Sequence, residues 1–170
     1  MKIALAIAGV IALLLVVVVA IGAMLPKGHT VSRMARYAAT SQQLFALIAG
    51  PQNWRSDLKS SEEFVEQNRT YVRETTSRNE TITYELLNRE EPRSIERRIA
   101  TENLPYSGSW IFSLEPSGSG TVVRITEHGE VSNPVFRFVS RFVLGQSHSI
   151  DSYLAALGRA TGQEVRPADD

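Results

Sequence analysis

The first 25 residues of the chain constrain its fold and its location more than any later segment. No charged side chain occurs from Ile3 to Leu25, and residues 10–19 are an unbroken aliphatic run. At 1.5 Å per residue, a helix over this stretch reaches the roughly 30 Å thickness of the hydrocarbon core of a bilayer. The sequence therefore predicts a transmembrane anchor over residues 1–25 of a single-pass membrane protein.

A cleaved secretory signal peptide is the alternative interpretation of the same segment. Lys2 supplies a short basic flank, and Ala20-Ile21-Gly22 loosely resembles a cleavage site. The apolar core of a signal peptide runs about 7–15 residues, however, which is shorter than this stretch. We therefore expect a retained anchor. The basic residues on its two sides are too evenly matched to indicate which side of the membrane the rest of the chain faces.

The composition excludes several classes of function. Lys and Arg together number 18, as do Asp and Glu, and no basic block is present, so we expect no nucleic-acid partner. The chain has no Cys, which excludes thiol nucleophiles, iron–sulfur ligation and Cys-based zinc sites. His29, His128 and His148 form no HxxxH or HExxH pair, so we expect no metal and no other cofactor. The sequence leaves the oligomeric state open.

The residues after the anchor are enough for one compact domain with its own core. Residues 26–28 form a linker that is short enough to hold this domain against the lipid headgroups. We place the domain at residues 29–161. The polar residues 162–170, which include a proline and end in two aspartates, are predicted to form a flexible tail.

Within the domain, the pattern changes from one strand and two short helices to a long antiparallel meander. The first strand spans residues 29–39, a helix capped by Thr40 or Ser41 ends before Gly50-Pro51, and Asn53–Leu58 is predicted to be a second helical turn. Period-two alternation with regularly spaced turns then predicts six strands. These lie near Glu62–Gln67, Tyr71–Thr76, Thr81–Asn88, Arg93–Thr101, Ser107–Leu114 and Thr121–Val131.

The longest helical pattern follows Asn133 and Pro134, which suit a cap and a first turn. Apolar residues then recur at steps of three and four through Leu157, giving one apolar face along a single long helix. A seven-stranded antiparallel sheet would curl around such a helix. The sequence therefore predicts an α+β fold of the helix-grip type, preceded by one transmembrane helix.

In this order of elements, the chain resembles the START-like superfamily, and specifically its polyketide cyclase/dehydrase-type branch, often labelled SRPBCC. The resemblance covers residues 29–161, and its local matches are residues 39–48, Asn53–Leu58 and Gly129–Pro134. It implies a deep apolar cavity between the sheet and the last helix, which members use for lipids, hormones, polyketides or other hydrophobic molecules. Only a few members are enzymes, so the resemblance implies binding more strongly than catalysis.

Strand parity and helix spacing predict which side chains line that cavity, and ordinary core packing of the aromatic rings is the alternative interpretation. The expected lining residues are Trp54, Tyr84, Arg97, Trp110, Phe112, Glu127, Phe138 and Phe142.

Arg97 is the most informative of these residues, because it lies between Ile95 and Ile99 on an apolar face. A buried guanidinium is costly unless it is paired, so Arg97 needs a carboxylate such as Glu127 or an anionic group of a ligand. A parity error of one residue would instead turn it outward.

We therefore expect a membrane-tethered protein that binds a hydrophobic small molecule or lipid and has no assigned catalytic residues. Two alternatives remain open. One is an enzyme of the cyclase or dehydrase type, in which Arg97, Glu127 or Tyr84 handles protons or oxyanions. The other is an interaction module with a filled cavity.

Overall fold

The computed structural model describes residues 2–170 and shows the predicted α+β fold class: an antiparallel sheet with a C-terminal helix against one face, preceded by an apolar helix. That first helix, α1, spans Lys2–Met24. Over these described residues, α1 is the one helix that is long and apolar enough to cross a membrane. Its residues are largely exposed apart from the buried Gly22.

The sheet contains the seven predicted strands and one more, which all pair antiparallel in the order β2-β3-β4-β5-β6-β7-β1-β8. The strands are β1 Gly28–Tyr37, β2 Leu58–Glu66, β3 Arg69–Thr76, β4 Thr81–Glu90, β5 Ser94–Ile99, β6 Tyr106–Ser117, β7 Gly120–Val131 and β8 Ala168–Asp169. The predicted flexible tail thus ends in a short strand on the edge of β1. Asp169 forms an ion pair with Arg33 there, and Asp170 forms one with Arg124.

Helix α2 spans Ser41–Ala49 and begins as its sequence indicates. Thr40 and Gln43 form a reciprocal capping box that satisfies two backbone N–H groups at its start. The segment Asn53–Leu58, however, was predicted to be a helical turn and is instead a series of turns that leads into β2. Its conformation is fixed by side chains, since the Asn53 amide oxygen accepts a hydrogen bond from the backbone N–H of Ser61.

The long C-terminal helix is not continuous. It consists of α3 (Pro134–Val139), a π-helical segment (Ser140–Leu144) and α4 (His148–Ala160). Gly145 separates the last two with φ of 78°, a left-handed conformation that glycine adopts at no steric cost. The apolar residues that we assigned to one face of a single helix are therefore divided between α3 with the π segment, before Gly145, and α4, after it.

Helix α4 packs on the sheet, and α3 packs on α1. The buried apolar residues Ile150, Leu154 and Leu157 join strand residues such as Phe112 and Ile125 in one core. Near the end of α1, Gly22 lies so close to the backbone of Pro134 that any Cβ at position 22 would overlap it. The domain thus contacts the apolar helix through α3.

Candidate ligand site on the concave face

The inner face of the sheet carries a row of three polar side chains that are direct neighbours across β5, β6 and β7. Arg97 pairs in register with Trp110, and Trp110 pairs with Glu127. Arg97 is only 5% exposed. The inward parity expected for Arg97 is therefore the one the structure adopts.

The partner of Arg97 is Glu74, so the suggested Arg97–Glu127 ion pair was wrong. Arg97 Nη1 donates to Glu74 Oε1 over 3.2 Å, and Glu74 is 3% exposed. On β3, Glu74 shares the inner face with the buried Val72. This alternation was the sequence signal for an inward carboxylate. Only β4 separates β3 from β5 in the sheet, so Glu74 on β3 can reach Arg97 on β5.

Glu74 also accepts a hydrogen bond from Arg55, and through Arg55 the network reaches helix α4. Arg55 Nη1 lies 3.0 Å from Glu74 Oε2 and 3.2 Å from the buried Gln52 Oε1. Gln52 Nε2 donates to the Tyr153 hydroxyl over 2.9 Å. We call Gln52, Arg55, Glu74, Arg97 and Tyr153 the inner polar cluster. No sequence motif indicated that Gln52 or Arg55 belonged to it.

Arg55 also pairs with Asp57 at the surface, at an Nη2–Oδ2 distance of 2.5 Å. Burial opposes ionisation of Asp57, but the hydrogen bond and positive charge of Arg55 hold the pKa of that carboxyl below its usual value. Arg97 and Arg55 therefore share the buried carboxylate of Glu74, and Arg55 alone also contacts the more exposed carboxylate of Asp57.

Aromatic rings surround the guanidinium of Arg97. The ring centroids of Phe112, Tyr84, Tyr153 and Trp110 lie 4.9, 5.0, 5.6 and 5.8 Å from its central carbon. Contacts of this kind stabilise a cation that has lost its water. Among residues 2–170, Arg97 Nε is buried without a hydrogen-bond partner, so the cage leaves one strong donor free.

The two tyrosines of this cage are weak acids. Burial raises the pKa of Tyr153 to about 12, against the opposing charges of Arg97 and Arg55. Burial and the charge of Glu74 raise the pKa of Tyr84 to about 12, against the charge of Arg97. Both phenols are therefore protonated near neutral pH, where they can exchange hydrogen bonds but not act as bases.

The structure groups five of the eight predicted lining residues around Arg97 and Tyr153, and Glu127 contacts this group through Trp110; the five are Trp54, Tyr84, Arg97, Trp110 and Phe112. Trp54 reaches the same cluster, because its ring packs edge-on against Tyr153 at 5.7 Å between centroids. Glu127 lies apart from Glu74 and accepts hydrogen bonds from Trp110 Nε1 at 2.6 Å and from His29 Nε2 at 2.9 Å. Phe138 and Phe142 pair with each other on α3 and the π segment and with no other aromatic ring in residues 2–170, and Phe142 is 59% exposed.

A cleft of about 610 Å³ opens at the end of the sheet that is joined to α1. Its lining includes Ile99, His29 and two glycines, Gly108 and Gly129. His29, Ile99, Gly108 and Gly129 belong to the inner register of the sheet. The other lining residues alternate with them and belong to the outer face; they are Gly28, Thr30, Arg98, Ser107, Ser109, His128 and Glu130. Neither this cleft nor a second pocket of about 320 Å³ is lined by any residue of α4.

Residues 2–170 bring no group of three His, Cys, Asp or Glu side chains into position to hold a metal ion. The features that the geometry does provide are an aromatic, partly charged concave face and an open cleft at one end of the sheet. This is the architecture of a helix-grip domain.

The sequence comparison identifies the family. Residues 28–158 match the family model described as polyketide cyclase / dehydrase and lipid transport. The match covers most of the chain, which therefore belongs to this family, within the START-like superfamily. No protein with a curated description matches the sequence.

Solved structures show the same fold at low sequence identity. Norcoclaurine synthase from Thalictrum flavum aligns with a TM-score of 0.60 and 9% identity, over 81% of this chain and 88% of its own. Ara h 8.0201 gives 0.57 and 13%, over 80% and 99%. The protein XoxI from Bacillus cereus gives 0.55 and 19%, over 80% and 96%. At these identities the likeness shows the fold alone.

Proposed function

We propose that this protein binds a hydrophobic small molecule or lipid in the cleft at the α1 end of its sheet while α1 holds it in a membrane. The observation that carries the proposal is the position of the cleft. Gly28 lines it, four residues after α1 ends at Met24. A molecule that leaves a bilayer beside α1 would therefore meet the cleft at the end of the sheet that is nearest the membrane.

The cleft has the size and chemistry of a small-molecule site. Its volume of about 610 Å³ falls within the range of roughly 300–1,000 Å³ that ligand pockets occupy. Ile99 and the glycines give an apolar strip, and His29 supplies a polar group that is fixed by Glu127. The rest of the lining is polar or charged and consists of Thr30, Arg98, Ser107, Ser109, His128 and Glu130. Such an arrangement would orient an amphipathic ligand by its polar end.

One observation favours an interaction module as the second candidate. The rings of Trp110, Phe112 and Tyr153 lie 5.3–5.9 Å apart between the sheet and α4. They fill the space that a deep ligand would need, so binding at the cleft is the decisive property to measure.

We predict that the full-length protein stays in the membrane fraction after a carbonate wash. An apolar helix of 23 residues is long enough to cross the roughly 30 Å core of a bilayer. Fractionation and amino-terminal sequencing check this. A soluble product whose amino terminus lies after α1 would show that the segment is a cleaved signal.

We predict that filling the cleft reduces ligand retention. Ile99→Trp adds a large ring to the cleft, so detergent-released protein should retain a copurifying hydrophobic molecule at least about tenfold less well, a change of about 1.4 kcal/mol. Native mass spectrometry measures the bound fraction. Val122→Trp is the matched control, since Val122 is not among the lining residues and lies on β7 near its other end. Equal retention by both variants, or no bound molecule in the unmodified protein, would favour the interaction module.

A further inference from the structure

A second pocket, of about 320 Å³, lies where the end of α1 meets the π segment. It is lined by three cationic side chains, those of Lys27, Arg137 and Arg141, together with polar residues such as Ser140 and Gln146. No Asp or Glu is among its lining residues. The pocket is therefore positively charged in a chain whose formal net charge is zero.

Arg137 is the central cation of this pocket and is only 9% exposed. Its Nη1 donates to the carbonyl of Leu25 over 2.7 Å, near the end of α1, and its buried Nε has no hydrogen-bond partner within residues 2–170. In that same part of the chain, no carboxylate forms an ion pair with it. A buried guanidinium without a counter-charge is costly, so an anion in the pocket would stabilise it.

The other two cations approach from separate elements. Lys27 belongs to the linker that follows α1, and Arg141 belongs to the π segment. The left-handed turn at Gly145 folds the chain back so that Gln146 Oε1 accepts a hydrogen bond from Arg141 Nη1 over 2.9 Å. Three elements thus contribute cationic residues to the lining of one pocket.

The surface around the pocket is apolar and exposed. Phe136, Phe142 and Val143, on α3 and the π segment, are 52%, 59% and 67% exposed. They belong to the elements that pack beside the end of α1, whose own apolar side chains are exposed as well. An anion bound here would have apolar protein surface beside it, which suits a phosphate that carries acyl chains better than a free phosphate.

We propose that this pocket binds the phosphodiester group of an anionic glycerophospholipid. The inference rests on the proposed function in one respect, which is that α1 spans a membrane. The end of α1 then lies at headgroup depth, where Lys27, Arg137 and Arg141 meet lipid phosphates while Phe142 and Val143 contact acyl chains. The bound lipid would fix α3 against α1 and so set the position of the cleft above the bilayer.

The test uses the full-length protein in a neutral detergent, with phosphatidylglycerol, phosphatidylcholine and inorganic phosphate titrated separately. Native mass spectrometry counts the bound species. We expect phosphatidylglycerol to bind at least about fivefold more tightly than phosphatidylcholine, and Lys27→Gln and Arg141→Gln each to lower its affinity about fivefold. Arg36→Gln is the matched control and should leave this affinity unchanged. Arg36 is exposed on β1, eight residues beyond Gly28, a span of about 26 Å of extended strand.

Equal affinities of Lys27→Gln, Arg141→Gln and Arg36→Gln for phosphatidylglycerol would overturn the proposal. So would inorganic phosphate that binds as tightly as the lipid, because the site would then be a soluble-anion site. These outcomes are distinct from a failure of anchoring. The carbonate wash reports whether α1 stays in the membrane, whereas the titration reports on the pocket in protein that retains α1.

Discussion

Replacing Glu74 with glutamine should destabilise the domain by about 3–5 kcal/mol, the cost of leaving a buried charge without its partner. Glu74 is the buried carboxylate that accepts hydrogen bonds from both Arg97 and Arg55. Arg97→Met should cost less, because Glu74 keeps its contact with Arg55 and the aromatic cage accepts a methionine side chain. Glu74→Gln should therefore be more destabilising than Arg97→Met. In an isolated ion pair, by contrast, removing either partner would leave the other one buried and unpaired.

A double-mutant cycle makes this expectation quantitative. Arg97→Met combined with Glu74→Gln should be more stable than Glu74→Gln alone, with a coupling energy of at least about 1 kcal/mol. Arg97→Met combined with Glu127→Gln is the matched control. It should show a smaller coupling, since Glu127 binds Trp110 and His29 rather than Arg97. Denaturant unfolding followed by tryptophan fluorescence measures all of these variants. A larger coupling for the Glu127 pair would contradict the assignment of Glu74.

The elements of the fold could be predicted because their signals are local. The uncharged run from Ile3 to Leu25 predicts α1, and period-two alternation predicts seven strands whose approximate positions the structure reproduces. The inward parity of Arg97 follows from its apolar neighbours Ile95 and Ile99 in the same way. Each of these inferences depends on residues that are close together in sequence.

The partners of these elements could not be predicted, because they depend on tertiary geometry. Many carboxylates alternate with apolar residues, and only the packing of β3 against β5 through β4 selects Glu74 for Arg97. Similarly, apolar residues keep a spacing of three and four on both sides of Gly145, so periodicity alone indicated one helix. The approach of Gly22 to Pro134 shows that α1 provides the covering surface for α3.

The stability of the domain should fall steeply above pH 10, because three buried phenols, those of Tyr37, Tyr84 and Tyr153, resist ionisation. Burial raises the pKa of Tyr153 and of Tyr84 to about 12 in the folded protein, from the usual value of 10.0, and it raises the pKa of Tyr37 further still. As the pH rises, the unfolded chain loses these phenol protons first. The contribution of protonated Tyr84 and Tyr153 to the free energy of unfolding is therefore fully present below pH 10 and is lost between pH 10 and about 12. Two pKa units correspond to about 2–3 kcal/mol for the deeply buried Tyr153.

Tyr153→Phe should make the loss of stability at alkaline pH smaller, because it removes one of the three buried phenols that resist ionisation. At neutral pH the same change should cost about 1 kcal/mol, since the Gln52 amide loses the hydroxyl that accepts its hydrogen bond. Tyr71→Phe, on the opposite face of the sheet from Val72 and Glu74, controls for the general effect of removing a phenol. Denaturant unfolding at neutral pH and at pH about 11, between the unfolded and folded pKa values, measures these differences. Parallel pH profiles for Tyr153→Phe and the unmodified protein would show that Tyr153 ionises freely and that α4 does not seal it against the sheet.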